Sequence, residues 1–177
     1  MSELVHCFMN LNAKKLDRLF ALKVVHKKPA YQDELFELAF NSKAERIHIY
    51  AAWVWELFLI EECSRYKQYW PLALEKLPFI TQSSMRRAHS KAIWYYLKQR
   101  ELYLFLNRAQ KKQLMELMLD WVMTETKTAP LSFSIKSLHL LGKDFPEIKS
   151  ILKNLLLDSK RTFPKGLNPI IRSVFQD

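Results

Sequence analysis

Glycine is almost missing from this chain: Gly142 and Gly166 are the only two among 177 residues. Two-residue hairpin turns and the loops that cradle phosphates both depend on glycine, so the scarcity excludes a sheet protein and a phosphate-binding loop. Cysteine is equally scarce. Cys7 and Cys63 stand alone, without CxxC spacing, and no pair of histidines sits four residues apart on a helix. A disulfide framework and a metal centre are therefore not expected, and no cofactor is called for. No apolar run approaches the roughly 18 residues of a membrane span. The opening MSELVHCFMNLNAKK also lacks a basic stretch followed by an apolar core and a small-residue cleavage site. The expectation is a soluble cytoplasmic protein that does not enter the membrane. Acidic residues are the minority charge, 18 against 28 Lys and Arg, for a net charge of +10. Such an excess favours acidic partners, whether an acidic protein or peptide or a nucleic acid.

What the chain does hold is apolar and aromatic. Hydrophobic residues make up 49% and aromatic residues 13%, including five tryptophans, which is far more than a disordered chain carries. Seven prolines punctuate it at Pro29, Pro71, Pro78, Pro130, Pro146, Pro164 and Pro169, as helix boundaries do. Ser42 with Glu45 predicts a capping box, and a helix from about 43 to 62. Ser83 or Ser84 caps a second, over about 85–103, and a third covers about 110–126. LSFSIKSLHLLGKD has helical periodicity and stops at Gly142, a candidate left-handed C-terminal cap. YQDELFELAF, WPLALEKLPF, EIKSILKNLLLD and NPIIRSVF read as shorter helices, and LNAKKLDRLFALKVVHKK as one more near the N-terminus.

The segments RIHIYAAWVW, from Arg46, and RAHSKAIWYY, from Arg87, share a skeleton. An offset of 41 pairs Arg46 with Arg87, His48 with His89, Ala51 with Ala92 and Trp53 with Trp94. Offsets of 45 and then 36 extend two columns down the chain. The small-residue column is Ala51, Ala92, Ser137, Ser173; the ring column is Trp53, Trp94, His139, Phe175. Small side chains are needed where helix backbones approach within about 8–10 Å. A period near 40 built from helix pairs resembles the HEAT and armadillo repeat families. That resemblance implies an all-α solenoid of about four helix-pair repeats over 31–177, with residues 1–28 as an N-terminal capping helix and the whole of 1–177 as one domain. It further implies a concave face, lined by the second helix of each pair, that binds proteins and in some members nucleic acid. A globular helical bundle is the competing fold.

At about 100° per residue, Arg87, Lys91, Trp94 and Lys98 share one stripe of their helix. The corresponding positions are Arg46, Tyr50 and Trp53, then Lys136, His139 and Lys143, then Arg172 with Phe175. Aligned side by side, the stripes form a cationic and aromatic face suited to an acidic partner, with no Asp or Glu among these positions. Packing of Trp53 and Trp94 between neighbouring helices is the alternative use of the same rings. His48 and His89 fall on the apolar side, where a core histidine held by one hydrogen bond accounts for them.

The basic charge and the tryptophans are also similar to those of bacterial DNA glycosylases built from HEAT-like repeats, whose basic face carries aromatic residues and an aspartate. Here the sequence departs from that pattern. Leu57 stands one turn beyond Trp53 and Lys98 one turn beyond Trp94, and Asp120 lies on a helix expected to face outward. No catalytic constellation emerges. The expected function is a non-catalytic module for an acidic protein or peptide, with nucleic-acid binding as the alternative.

Overall fold

A computed structural model describes residues 2–175, and among them every regular element is helical and no strand forms. Contacts group the chain into two compact units that divide between Ala92 and Ile93, inside the helix Ser83–Lys98.

The first unit begins with α1 (Glu3–Met9), whose first turn is capped by the Ser2 hydroxyl accepting from the Val5 amide. Periodicity did not single out this helix; seven residues hold only two buried side chains, Leu4 and Phe8. α2 (Lys15–Val25) and α3 (Pro29–Ala39) follow, with Pro29 at the start of α3, where its missing N–H costs nothing.

α4 (Arg46–Glu61) starts three residues later than the expected capping box placed it. Asn41 Oδ1 accepts from the Lys43 amide, and Ala44 turns into the left-handed region at φ 54°. The helix therefore opens after Glu45, whose amide donates to His48 Nδ1 at 3.1 Å. α4 is the central element of the unit: α3 runs along it, and α1 and α2 pack on it too. Its Ala51, Ala52, Val54, Trp55, Phe58 and Leu59 are buried. Around Trp55 lies a cluster of rings that includes Phe36, Phe40, Phe58, Tyr66 and Tyr69, with centroids 5.2–5.8 Å away. Edge and offset contacts of this kind add to what area burial alone supplies. After a 3₁₀ segment at Cys63–Gln68 come α5 (Trp70–Lys76), a further 3₁₀ turn at Leu77–Phe79 and α6 (Ser83–Lys98). At the start of α6 the Gln82 side chain takes part in capping, its Oε1 accepting from the Met85 amide at 2.9 Å. α6 ends at Lys98, and α7 (Arg100–Phe105) is a separate short helix.

In the second unit α8 (Arg108–Thr124) opens on a reciprocal cap between Asn107 and Gln110 and pairs along its length with α9 (Thr128–Leu141). Leu114, Met118, Trp121 and Val122 of α8 and Leu131, Ile135 and Leu138 of α9 are buried. Gly142 is not the left-handed cap that its position suggested: its φ is −56°. The last carbonyls of α9 are taken instead by right-handed turn amides, Gly142 donating to Leu138 O, Lys143 to Leu140 O, and Asp144 and Phe145 to Leu141 O. α10 (Glu147–Lys153) runs on into a π-helical turn at Asn154–Asp158, and α11 (Asn168–Phe175) packs on α9. The strap between them is pinned by Arg161, whose guanidinium donates to the carbonyls of Val122, Met123 and Glu125 at the end of α8. Gly166 permits a close approach, since a Cβ there would stand 3.0 Å from Thr128 Cγ2.

Of the small-residue column, Ala51, Ala92 and Ser137 are buried, whereas Ser173 is exposed.

Candidate functional site

The stripe residues fall into separate groups, each within one unit. In the first unit Trp53 projects from α4 half-buried, its Nε1 donating to Ser84 O at 3.2 Å. Two guanidinium groups approach its ring, Arg18 at 5.5 Å and Arg87 at 5.8 Å from the centroid. Tyr50 lies 5.2 Å from Trp53, and Arg46 sits over the Tyr50 ring at 5.1 Å while donating to Leu11 O at 2.8 Å.

This group contains an acid that the stripe did not include. Glu56 is 2% exposed. Its Oε1 accepts from Lys91 Nζ at 2.6 Å, and Arg87 Nη2 lies 2.9 Å from Oε2, close enough to pair although not aligned as a hydrogen bond. The stripe positions themselves carry no acid, but Arg87 and Lys91 are engaged by this neighbouring carboxylate. A buried carboxylate is tolerated because two cations offset its lost hydration. The signal was present in the sequence. Glu56 is the sole charge inside the run IYAAWVWELFLI, and its i+3 spacing puts it on the same side of the helix as Trp53.

In the second unit Trp94 is flanked by two ammonium groups, Lys98 at 4.7 Å and Lys136 at 5.1 Å from its centroid. Phe133, one turn before Lys136 on α9, lies 5.5 Å from Trp94 and shares Lys136 at 5.4 Å. Trp94 and Phe133 are both partly exposed. No carboxylate pairs with Lys98 or Lys136 among the described residues. Position 97, which matches Glu56 at the 41-residue offset, is a buried leucine. The two lysines repel one another, the ring faces relieve part of that repulsion, and an arriving anion relieves more.

His139 and Lys143 continue the α9 stripe and line a cleft with Pro146, Ile148, Lys149, Leu152 and Val174. Arg172 on α11 is exposed and donates from Nε to its own helix at Asn168 O, 3.4 Å away.

Several other titratable groups are held by burial or by hydrogen bonds. His89 is buried, and its Nε2–H donates to Ala39 O at 2.9 Å while the ring packs 4.4 Å from Phe40. Burial pulls its pKa down to about 4, only partly opposed by that hydrogen bond. Burial lowers the pKa of His48 as well. Burial pushes the Cys63 thiol up to about 11, away from the thiolate form that nucleophilic chemistry needs. Asp144 is held below the usual carboxylate range by its hydrogen bond from Lys111 Nζ at 2.6 Å. Asp120 is exposed on α8. Among the described residues no group of three or more His, Cys, Asp or Glu side chains is placed to hold a metal ion, and no helix is long and apolar enough to cross a membrane. Comparison with known proteins adds no relative: no family model matches the chain, and neither does any curated protein or solved structure.

Proposed function

We propose that this chain is a non-catalytic interaction module, built from helix-pair repeats resembling the HEAT and armadillo families, that binds an acidic protein or peptide through a basic and aromatic face. The observation that carries the reading is the Trp94 cluster: two lysines on one indole, with a second ring beside it and no carboxylate among the described residues. Cation–ring pairs hold the ammonium groups at the surface with their charge intact. An Asp or Glu side chain from a partner then meets two positive groups at once, while the rings supply apolar contact. Arg46, Tyr50, Trp53, Arg87 and Lys91 form a basic and aromatic patch within the first unit, but there Glu56 cancels part of the charge. Their share in binding is accordingly smaller than that of Trp94, Lys98 and Lys136, with Lys143 and Arg172 adding long-range attraction and His139 a further ring on α9.

Nucleic-acid binding is the second reading, favoured by one observation. Trp94 and Phe133 are partly exposed rings 5.5 Å apart with lysines beside them, which is the chemistry of a base-stacking platform. Base excision is not supported. Glu56, three residues after Trp53, is buried and paired with Arg87 and Lys91, and so is not presented to a bound sugar.

The test is the Lys98→Glu, Lys136→Glu double variant beside the parent. Poly-L-glutamate and a single-stranded oligonucleotide serve as probes at several salt concentrations. Binding of poly-L-glutamate that falls at least tenfold in the variant supports the leading reading. Preference for the oligonucleotide, with a log–log salt slope that decreases by about 0.7 per removed phosphate contact, supports the second. Equal binding by parent and variant removes the Trp94 cluster from both.

A further inference from the structure

The Trp94 cluster asks more of a ligand than a single negative charge. Lys98 stands on α6 and Lys136 on α9, and both ammonium groups lie against one indole, 4.7 and 5.1 Å from its centroid. Neither lysine has a carboxylate partner among the described residues. One arriving carboxylate offsets one of the two positive charges, whereas a compact dianion offsets both. Of the anionic groups that proteins carry, a phosphate monoester fits that description. Its charge is about −1.5 to −2 at neutral pH, and it offers three strong acceptor oxygens to ammonium donors.

The rings set a second requirement. Trp94 and Phe133 are both partly exposed, so each offers apolar surface to a ligand, and their centroids are 5.5 Å apart at an interplanar angle of 42°. Lys136 also stands 5.4 Å from the Phe133 centroid, so one ammonium group borders both rings. The neighbouring Ile93, Leu97, Ile135 and Leu138 are buried, which fixes the helix segments that carry the cluster. Cation and ring surface therefore meet at one place. A ligand with the inverse layout bears its phosphate directly on an aromatic ring. Phosphoserine lacks the ring, and in a nucleotide a sugar stands between base and phosphate.

We propose that the Trp94 cluster binds an aryl phosphate, presented as a phosphotyrosine side chain of the acidic partner. The phosphoryl oxygens accept from Lys98 and Lys136, and the phenyl ring packs on Trp94 and Phe133. This inference rests on the interaction reading above and narrows it to one modified side chain.

The experiment is an NMR titration of the full chain at pH 7.5, followed through the Trp94 indole resonance, with phenyl phosphate, phenyl sulfate and inorganic phosphate. Phenyl sulfate keeps the shape with less charge, and inorganic phosphate keeps the charge without the ring. Phenyl phosphate should bind in the millimolar range, at least threefold more tightly than either. Lys98→Ala and Lys136→Ala should each abolish the preference for phosphate over sulfate, while the buried Trp121 indole resonance reports that the variant is folded. A tyrosine-phosphorylated peptide should bind more tightly than adenosine 5′-monophosphate; the reverse order overturns the protein partner in favour of a nucleotide. Phenyl phosphate that binds no better than phenyl sulfate or inorganic phosphate overturns the proposal, as does a preference that survives loss of either lysine. Those failures leave the interaction reading to its own test with poly-L-glutamate.

Discussion

The tryptophans at 53 and 94 occupy matching places in the sequence and meet different fates in the two units. Around Trp53 two guanidinium groups gather on the ring, and a buried glutamate draws Arg87 and Lys91 together. Around Trp94 two ammonium groups gather, and no carboxylate among the described residues pairs with them. The difference traces to one position, Glu56 against Leu97. A carboxylate converts a surface cation cluster into a structural joint; a leucine leaves the cations to the solvent and to whatever anion arrives. The two tryptophan clusters therefore differ in what their charges do: beside Trp53 they hold α4 to α6, and beside Trp94 no carboxylate among the described residues engages them.

The comparison predicts different sensitivity to acid, and this is the largest effect. His89 in the first unit has its pKa lowered to about 4 from an ordinary 6.5. As pH falls the unfolded chain takes up its proton first, so the stabilisation is complete above pH 6.5 and declines between 6.5 and 4. With a full shift the loss is about 3 kcal/mol at pH 4. His48, shifted the same way, adds to it in the same window. In the second unit the shifted acid is Asp144, lowered from 3.8, whose contribution persists until the pH falls below that value. Urea titrations followed through the indole resonances of Trp55 and Trp121, one in each unit, should show the Trp55 transition moving to lower urea between pH 7 and pH 5 while Trp121 moves little. Parallel movement of both would dissolve the distinction.

Next in size is removal of the buried acid. Glu56→Ala leaves Arg87 and Lys91 facing each other, and because both are about 30% exposed the cost is discounted from the fully buried case to about 2 kcal/mol. Chemical denaturation of the variant checks this. An unchanged midpoint would mean that Glu56 is no joint. The smallest effect belongs to the second unit: Lys98→Ala or Lys136→Ala should alter stability by no more than about 0.5 kcal/mol, since each removes a cation–ring contact and a repulsion together. A loss of 2 kcal/mol or more from either would make the Trp94 cluster structural too, and would take away the argument for its availability.

The buried face of α4 and the pairing residues of α8 and α9 were legible as periodic apolar positions, because a helix repeats its contacts every three to four residues and writes them locally. Cap positions were less so. Ser42 and Glu45 spell a capping box, but an Asn41 turn and the left-handed Ala44 move the start of α4 to Arg46. Gly142 has the right identity for a left-handed cap, yet the following turn supplies right-handed amides that serve the same carbonyls. Glu56 was readable as an oddity, a lone acid in an apolar run, but nothing within a few residues named its partners.

By itself the sequence determined an all-helical chain, from its two glycines and its periodic apolar residues, and it marked Trp53 and Trp94 as exceptional rings on basic helix faces. Only the tertiary structure decided which cations remain available. Glu56 reaches Arg87 and Lys91 across 31 and 35 positions, Lys136 reaches Trp94 across 42, and Asp144 turns to Lys111 across 33. Helical periodicity carries information over a few turns. The pairing of charges that far apart is settled by how helices pack, and it is that pairing which separates a cation spent on the fold from one left for a partner.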